Sequence, residues 1–309
     1  MGYESTLKAL ALADDRIVVL TAENRAAIRN LPEVLGERFV DTGITEQAMV
    51  GVAAGLALRG RTPVCHALAT FLTMRAFEFV RTDVGIPHLP VTLVGGVPGF
   101  LSEANGPTHQ AIEDVALMRG IPGMEVYCPA DGDELDQMLP VILDRPHPAY
   151  IRFNARPAMV AHGAPFAPGV AETVAEGDDV AILTYGFMLE EAMAARDHLA
   201  ARGQSVRVVN LRSLKPIDEG ALLSAARETG LVVTLEDHFR TGGLYSILAD
   251  VLLQHGLTAR VLPISLEQRW FRPALLQDIL YFEGFTGAQI AARILARLKA
   301  RRRAAAPVA

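Results

Sequence analysis

Asp41-Thr-Gly-Ile-Thr-Glu46-Gln47, running straight into Ala48-Met-Val-Gly-Val-Ala-Ala-Gly-Leu-Ala57, decides how this chain reads. It places one carboxylate, Glu46, at the head of a helix whose faces are almost entirely apolar. Gly51 and Gly55, at i and i+4, leave a smooth face that another backbone could approach closely. A carboxylate in the first turn of a helix is ordinarily a cap, stabilised by the macrodipole. Whether Glu46 is only that depends on the rest of the chain.

Outward from this stretch, short β-branched runs alternate with helical ones. Strands are expected at Arg16–Leu20, Thr62–Ala67, Pro90–Gly95 and Ala149–Phe153, with helices at Glu46–Leu58, Phe71–Val84 and Asp131–Leu143. Such βα alternation makes a largely parallel sheet covered by helices on both faces. Residues 1–155 form that first α/β domain. Residues 156–178, rich in proline and glycine and poor in periodicity, read as a linker. The pattern then restarts over residues 179–298. Strands are expected at Val180–Leu183, Val206–Asn210, Leu231–Glu236 and Ala259–Pro263, and helices at Leu189–Arg202, Glu219–Thr229, Gly243–His255 and Thr286–Leu298. Residues 299–309 are a basic, small-residue tail expected to fray.

Composition narrows the class. At 309 residues and 50% hydrophobic content, the chain can bury two ordinary cores. Its 29 Lys+Arg against 35 Asp+Glu leave a net charge of −6, which argues against a nucleic-acid partner held by charge. Cys65 and Cys128 have no metal or redox spacing and point to a reducing cytoplasm. No apolar run approaches the length of a membrane span, and the N-terminus lacks a signal-peptide pattern.

The Asp41–Gln47 heptapeptide resembles the signature of the pyrimidine-binding domain in transketolase-like enzymes that depend on thiamine diphosphate. The resemblance implies that Glu46 touches the cofactor's aminopyrimidine ring and drives its tautomerisation. Such a carboxyl serves best when shielded from water, where it can share a proton at neutral pH. Ala67-Leu-Ala-Thr-Phe71 follows in the family's order: Phe71 is the residue implied to stack on the pyrimidine, and Leu68 an apolar wall. Arg75-Ala-Phe-Glu-Phe-Val-Arg81 looks like the next helix of small, split transketolases, with Arg75 on the cofactor side. Phe77 and Phe79 read as core.

A second stretch, Leu101-Ser-Glu-Ala-Asn-Gly-Pro-Thr-His109-Gln110, carries the resemblance further. Asn-Gly-Pro forces a turn, and Thr-His-Gln is expected to open a helix carrying Glu113 and Asp114. In relatives this run lines the mouth of the active site, and its histidine meets the hydroxyls or carbonyl of the donor; here that residue is His109. Two departures stand out. Asn105 replaces an acidic residue that reads donor stereochemistry, and Val97 replaces a histidine that holds phosphate in sugar-phosphate-using relatives. Arg152 and Arg156 remain as candidates for an anionic substrate group, because an arginine fork suits phosphate or carboxylate. Lys215-Pro-Ile-Asp218, Glu236-Asp-His238 and Gly242-Gly-Leu244 look like the family's C-terminal domain, in which His238 is structural.

The Mg²⁺ that accompanies the diphosphate needs hard oxygen ligands, supplied in relatives by Gly-Asp-Gly and a later Asn. Gly132-Asp133-Glu134 and Gly177-Asp-Asp179 both fail that pattern, so no metal ligand is assigned to this chain. The resemblance therefore implies a β-type subunit of a split transketolase. An α-type subunit would bind diphosphate and Mg²⁺ in an α2β2 assembly, moving a two-carbon ketol unit to an aldehyde-like acceptor. The alternatives are the β chain of a 2-oxoacid dehydrogenase first component, a relative of deoxyxylulose-phosphate synthase, and a non-catalytic regulatory subunit.

Overall fold

The computed structural model describes residues 2–163, 165–267 and 269–304. Two sheets organise them. The larger has the order β10-β5-β6-β4-β3-β1-β2, made of β1 (Ile17–Thr21), β2 (Phe39–Asp41), β3 (Thr62–Leu68), β4 (Thr92–Gly96), β5 (Glu125–Tyr127), β6 (Ala149–Arg152) and β10 (Ser213–Lys215). All its pairings are parallel except β10 with β5. The smaller has the order β12-β11-β8-β9-β7, from β7 (Glu172–Ala175), β8 (Val180–Thr184), β9 (Val206–Asn210), β11 (Val232–Phe239) and β12 (Val261–Leu266), parallel except at β7. The continuous apolar runs of β1 and β8 are buried along their whole length, as strands covered on both faces must be. The fold class is the expected one: two α/β layers of mostly parallel strands with helices.

Several boundaries differ from the sequence reading. The 156–178 linker is too long, because β7 pairs antiparallel with β9 and belongs to the second sheet. Conversely, β10 lies in the second half of the sequence but adds an edge to the first sheet, tying the two units together. The helix expected at Phe71–Val84 is instead a chain of wide π-type turns, Phe71–Arg75 and Val80–Gly85, around the short Phe77–Phe79. Thr108-His109-Gln110 opens no long helix. Pro107–His109 is one tight turn, Gln110 is extended, and the helix begins at Asp114. The final helix runs from Gly287 to Ala304, so the first part of the supposed tail is ordered; residues 305–309 lie outside the described residues. Tyr3–Ala13 and Leu276–Glu283 are helices that the pattern did not disclose.

The helix Glu46–Leu58 buries Met49, Val50, Ala53, Ala54 and Ala57. Its opposite face is open: Val52 and Leu58 are 44% and 69% exposed, and a Cβ placed on Gly55 would meet nothing within 4 Å. The smooth glycine face is thus available, and no part of the described chain covers it at Gly55. No described helix is long and apolar enough to cross a membrane.

Candidate active site

Four parallel strands, β4-β3-β1-β2, lie side by side. The segments after their carboxyl ends converge on one place: Ala22–Asn24 after β1, Ile44–Glu46 after β2, Phe71–Arg75 after β3, and Gly99–His109 after β4. Ligand crevices of open α/β sheets form at these ends because the connecting loops there diverge. Asp41, the last residue of β2, braces two of the loops. Its carboxylate accepts from the Glu23 amide at 3.1 Å and the Gly43 amide at 2.9 Å, and Arg25 Nε donates to it at 2.6 Å. Burial alone would raise the Asp41 carboxyl, but these donors outweigh it and hold it below the usual carboxylate range.

Glu46 is 2% exposed, and its helix has no side-chain cap at Thr45. Among the described residues, the hydrogen bond found for its carboxylate comes from Arg75 Nη1, 2.9 Å from Oε2. Arg75 also lies over the Phe71 ring, its guanidinium carbon 3.9 Å from the centroid. Phe71 and Arg75 stand four apart in one helical turn and so share a face. The His109 ring meets Phe71 edge-on at 5.1 Å, and its Nδ1 is 2.9 Å from Thr108 Oγ1.

Glu46, Ile44, Leu68, Phe71 and Asn24 line a cavity of about 280 Å³. Phe71 also lines a wider one of about 530 Å³ with Arg75, Thr108, Gln110, Glu113 and Trp270. A buried carboxylate, an aromatic ring and an apolar wall around one space form the donor set that a flat, basic heterocycle requires. The residues present therefore fit the pyrimidine side of the cofactor that the sequence implied. The wider cavity contains groups that sequence reading did not single out. Glu113 is raised above the usual range, chiefly by burial. Gln110 donates to the Phe271 carbonyl at 2.8 Å, while its buried Oε1 has no partner among the described residues. Trp270 is 55% exposed and comes from the second half of the chain, so no local pattern could have placed it here.

Other candidates stand apart. Arg152 is 3% exposed; its Nε donates to Asp114 at 3.0 Å and its Nη1 to Asp237. Two buried carboxylates occupy its fork, so it holds β6 against β11 and is not free for a substrate anion. Arg156 pairs with Glu190 at 3.2 Å and lines a different hollow with Asp131, away from Glu46. Asn105 sits on the exposed rim, its amide donating to the Ser102 carbonyl at 2.8 Å. Val97 adopts φ 48°, a backbone region that β-branched residues avoid, just where the loop leaves β4. His238 is wholly buried: Nδ1 donates to the Phe239 carbonyl at 2.6 Å, and Nε2 accepts from the Ala116 amide at 3.3 Å. That matches a structural role.

Family models cover both units of the chain. The model of the transketolase pyrimidine-binding domain matches residues 1–158, and that of the transketolase C-terminal domain matches residues 169–290. The chain belongs to the transketolase family. It is 41% identical over 254 residues to the 6-deoxy-6-sulfo-D-fructose transketolase subunit SqwH of Clostridium sp. (strain MSTE9), covering 81% of this chain and 79% of that one. It is 37% identical to the 1-deoxy-D-xylulose-5-phosphate synthase of Syntrophotalea carbinolica, covering 94% of this chain but only 47% of that enzyme. Among solved structures, a split-gene transketolase in an inactive β4 tetramer superposes with a TM-score of 0.85 at 34% identity, covering 96% of both chains. This transketolase chain is thus of the β type, in a thiamine-diphosphate-dependent family.

Proposed function

We propose that this chain is the pyrimidine-side half of a split transketolase that transfers a two-carbon ketol unit, working with an α-type subunit that holds the diphosphate and Mg²⁺. The observation that carries this reading is the convergence of Glu46, Phe71 and Arg75 on adjoining cavities at the carboxyl ends of β1–β4, with the His109 ring set edge-on against Phe71. When bound, the cofactor would supply the carbon nucleophile that cleaves the donor beside its carbonyl. Glu46 would hold and share a proton at a ring nitrogen, with Arg75 fixing one of its oxygens. Phe71 would stack on the ring while Leu68 keeps water from it. His109, steadied by Thr108 and Phe71, would orient the donor's hydroxyl or carbonyl oxygen beside the wider cavity. The uncovered face of Glu46–Leu58 gives the partner subunit somewhere to pack, in an α2β2 assembly in the cytoplasm.

The preferred donor is a ketose whose terminal anion is not phosphate, with a sulfonated 6-deoxyketose the first to try. Support comes from the SqwH relative and from Val97, which cannot supply the polar contact that a histidine would make to phosphate. Arg152, already held by two carboxylates, cannot compensate for that loss. A synthase of the 1-deoxy-D-xylulose-5-phosphate kind is the second reading, favoured by 37% identity across nearly the whole chain.

The test is reconstitution with the α-type subunit, thiamine diphosphate and Mg²⁺, reading products by mass. Ketol transfer from 6-deoxy-6-sulfofructose, well above that from xylulose 5-phosphate, is the expected result. A kcat/KM of about 10⁴ M⁻¹s⁻¹ or more with xylulose 5-phosphate would make this an ordinary pentose-phosphate enzyme. A deoxyxylulose product would favour the second reading. Turnover by this chain without a partner would overturn the split assignment.

A further inference from the structure

A second polar centre lies at the junction of the two sheets. His162, from the connecting segment, has a side chain only 2% exposed. Three buried carboxylates surround it: Asp131 and Glu134 at the start of the helix Gly132–Leu143, and Glu172 on β7. Each carboxylate has one oxygen clamped by a backbone amide. Asp131 Oδ1 accepts from Glu134 N at 2.9 Å, Glu134 Oε2 from Ala130 N at 2.7 Å, and Glu172 Oε1 from Gly163 N at 2.8 Å. The other oxygen of each turns to the imidazole. Asp131 Oδ2 is 2.9 Å from Nε2; Glu172 Oε2 is 2.7 Å and Glu134 Oε1 3.6 Å from Nδ1.

This is how proteins build the surroundings of a metal-bound histidine. An outer carboxylate takes the proton on one ring nitrogen, fixes the tautomer, and leaves the other nitrogen's lone pair aimed at the ion. With Asp131 taking the Nε2 proton, Glu172 holds a second proton on Nδ1 while no ion is bound, and a cation that displaced that proton would find Nδ1 and two carboxylate oxygens as its ligands. The ligand atoms of Glu134, His162 and Glu172 all lie within 4.8 Å of one another. Tetrahedral zinc with bonds of about 2.0 Å separates its ligands by roughly 3.3 Å, so binding would open the Nδ1–Glu172 pair slightly and draw the widest ligand pair together by up to about 1.5 Å. A fourth oxygen is at hand. Asn210 is fully buried, its amide nitrogen donates to Glu134 Oε1 at 3.0 Å, and its Oδ1 has no partner among the described residues. Turning that amide over would direct the oxygen into the group.

We propose that Glu134, His162 and Glu172 form a site for a zinc-type divalent cation that staples the two sheets together, with Asp131 as the outer carboxylate. One imidazole nitrogen with two carboxylates suits zinc and its first-row neighbours better than Mg²⁺ or Ca²⁺.

The experiment strips the full chain with a chelator, dialyses it against Zn²⁺ alone, and measures bound metal by mass spectrometry. Expected are one equivalent per chain, a rise in Tm with zinc, and the visible spectrum of four-coordinate Co²⁺ on substitution. Glu172→Gln and His162→Gln should weaken zinc binding at least about 100-fold, and Asp131→Asn by about 10–100-fold. The exposed pair His88 and His147, whose ring nitrogens lie 2.8 Å apart, is the other plausible zinc binder. Zinc that disappears in the His88→Ala/His147→Ala double variant overturns the proposal, as does zinc retained at wild-type level in Glu172→Gln. Where a variant fails to fold by circular dichroism, the wild type decides: substoichiometric zinc, or a doubly protonated His162 by nitrogen NMR in the presence of zinc, shows that protons alone fill the knot.

Discussion

Glu46 shows how a capping position becomes a site. Its helix has no side-chain cap, and its buried carboxylate turns to Arg75, 29 residues further on. Glu46→Gln keeps the shape and a hydrogen bond but cannot share a proton. In the reconstituted enzyme it should cost at least about two orders of magnitude in kcat, the usual worth of a positioned acid–base group, with unaltered circular dichroism. Activity within tenfold of wild type would return Glu46 to a structural role. The contrast with Arg152 shows what local sequence can and cannot reveal. Both residues follow family motifs, yet Arg152's partners, Asp114 and Asp237, stand 38 and 85 residues away. Nothing near position 152 discloses that its fork is already filled. Trp270 escaped notice for the same reason.

At the scale of elements, the loop after β4 is held by a close approach. Gly99 has φ +55°, and a Cβ there would fall 1.8 Å from Asp237 Oδ2 and 2.5 Å from Arg152 Nη2. Gly99→Ala should therefore disturb the buried ion pair and destabilise the chain by at least about 2 kcal/mol, measurable as a lower midpoint in urea. An unchanged midpoint would mean that the loop yields freely. The exposed face of Glu46–Leu58 makes a different prediction. Val52→Glu should leave the unfolding midpoint within about 0.5 kcal/mol of wild type, as an exposed change does, yet weaken association in light scattering. Unaltered association would show that this face packs against nothing. Long elements with one clear period, such as Glu46–Leu58 and β8, were legible because burial wrote itself into their composition. The three-residue strands β2, β5 and β10 were not, since so short a run carries no period and depends on its neighbours for pairing. Phe71–Arg75 looked like an ordinary helix because a single π-type turn leaves no distinct period in so short a stretch.

At the scale of the whole molecule, two α/β units share one buried polar interior, and this makes stability depend on pH. His66 on β3 is 1% exposed, packed between Tyr3 and Phe153, with Tyr3 Oη 3.4 Å from its Nδ1. Burial pushes its pKa down to about 4, and that of His238 also to about 4. Above the ordinary histidine value of about 6.5, both folded and unfolded chains carry these rings neutral, and their contribution to stability is complete. Between about 6.5 and 4 the unfolded chain takes up protons that the folded chain refuses, so stability falls as pH falls, by about 1.4 kcal/mol per pH unit for each ring. Glu236 acts with the opposite sign. Burial lifts it to about 8 against the pull of the Tyr245 and Leu244 amides, so its contribution grows as pH drops from 8 towards the ordinary carboxylate range. The net curve therefore mixes both kinds of group, and the informative quantity is a difference in slope. His66→Phe keeps a ring in the Tyr3–Phe153 cage and removes one titrating group, although the lost Tyr3 contact will shift the curve as a whole. Urea unfolding of wild type and variant at several pH values from 4.5 to 6.5 should show the variant's slope lower by about one proton, with the two slopes converging above pH 7. Parallel curves throughout that range would mean that His66 titrates alike in both states, and that its buried place in the first sheet gives way to water well before the chain unfolds.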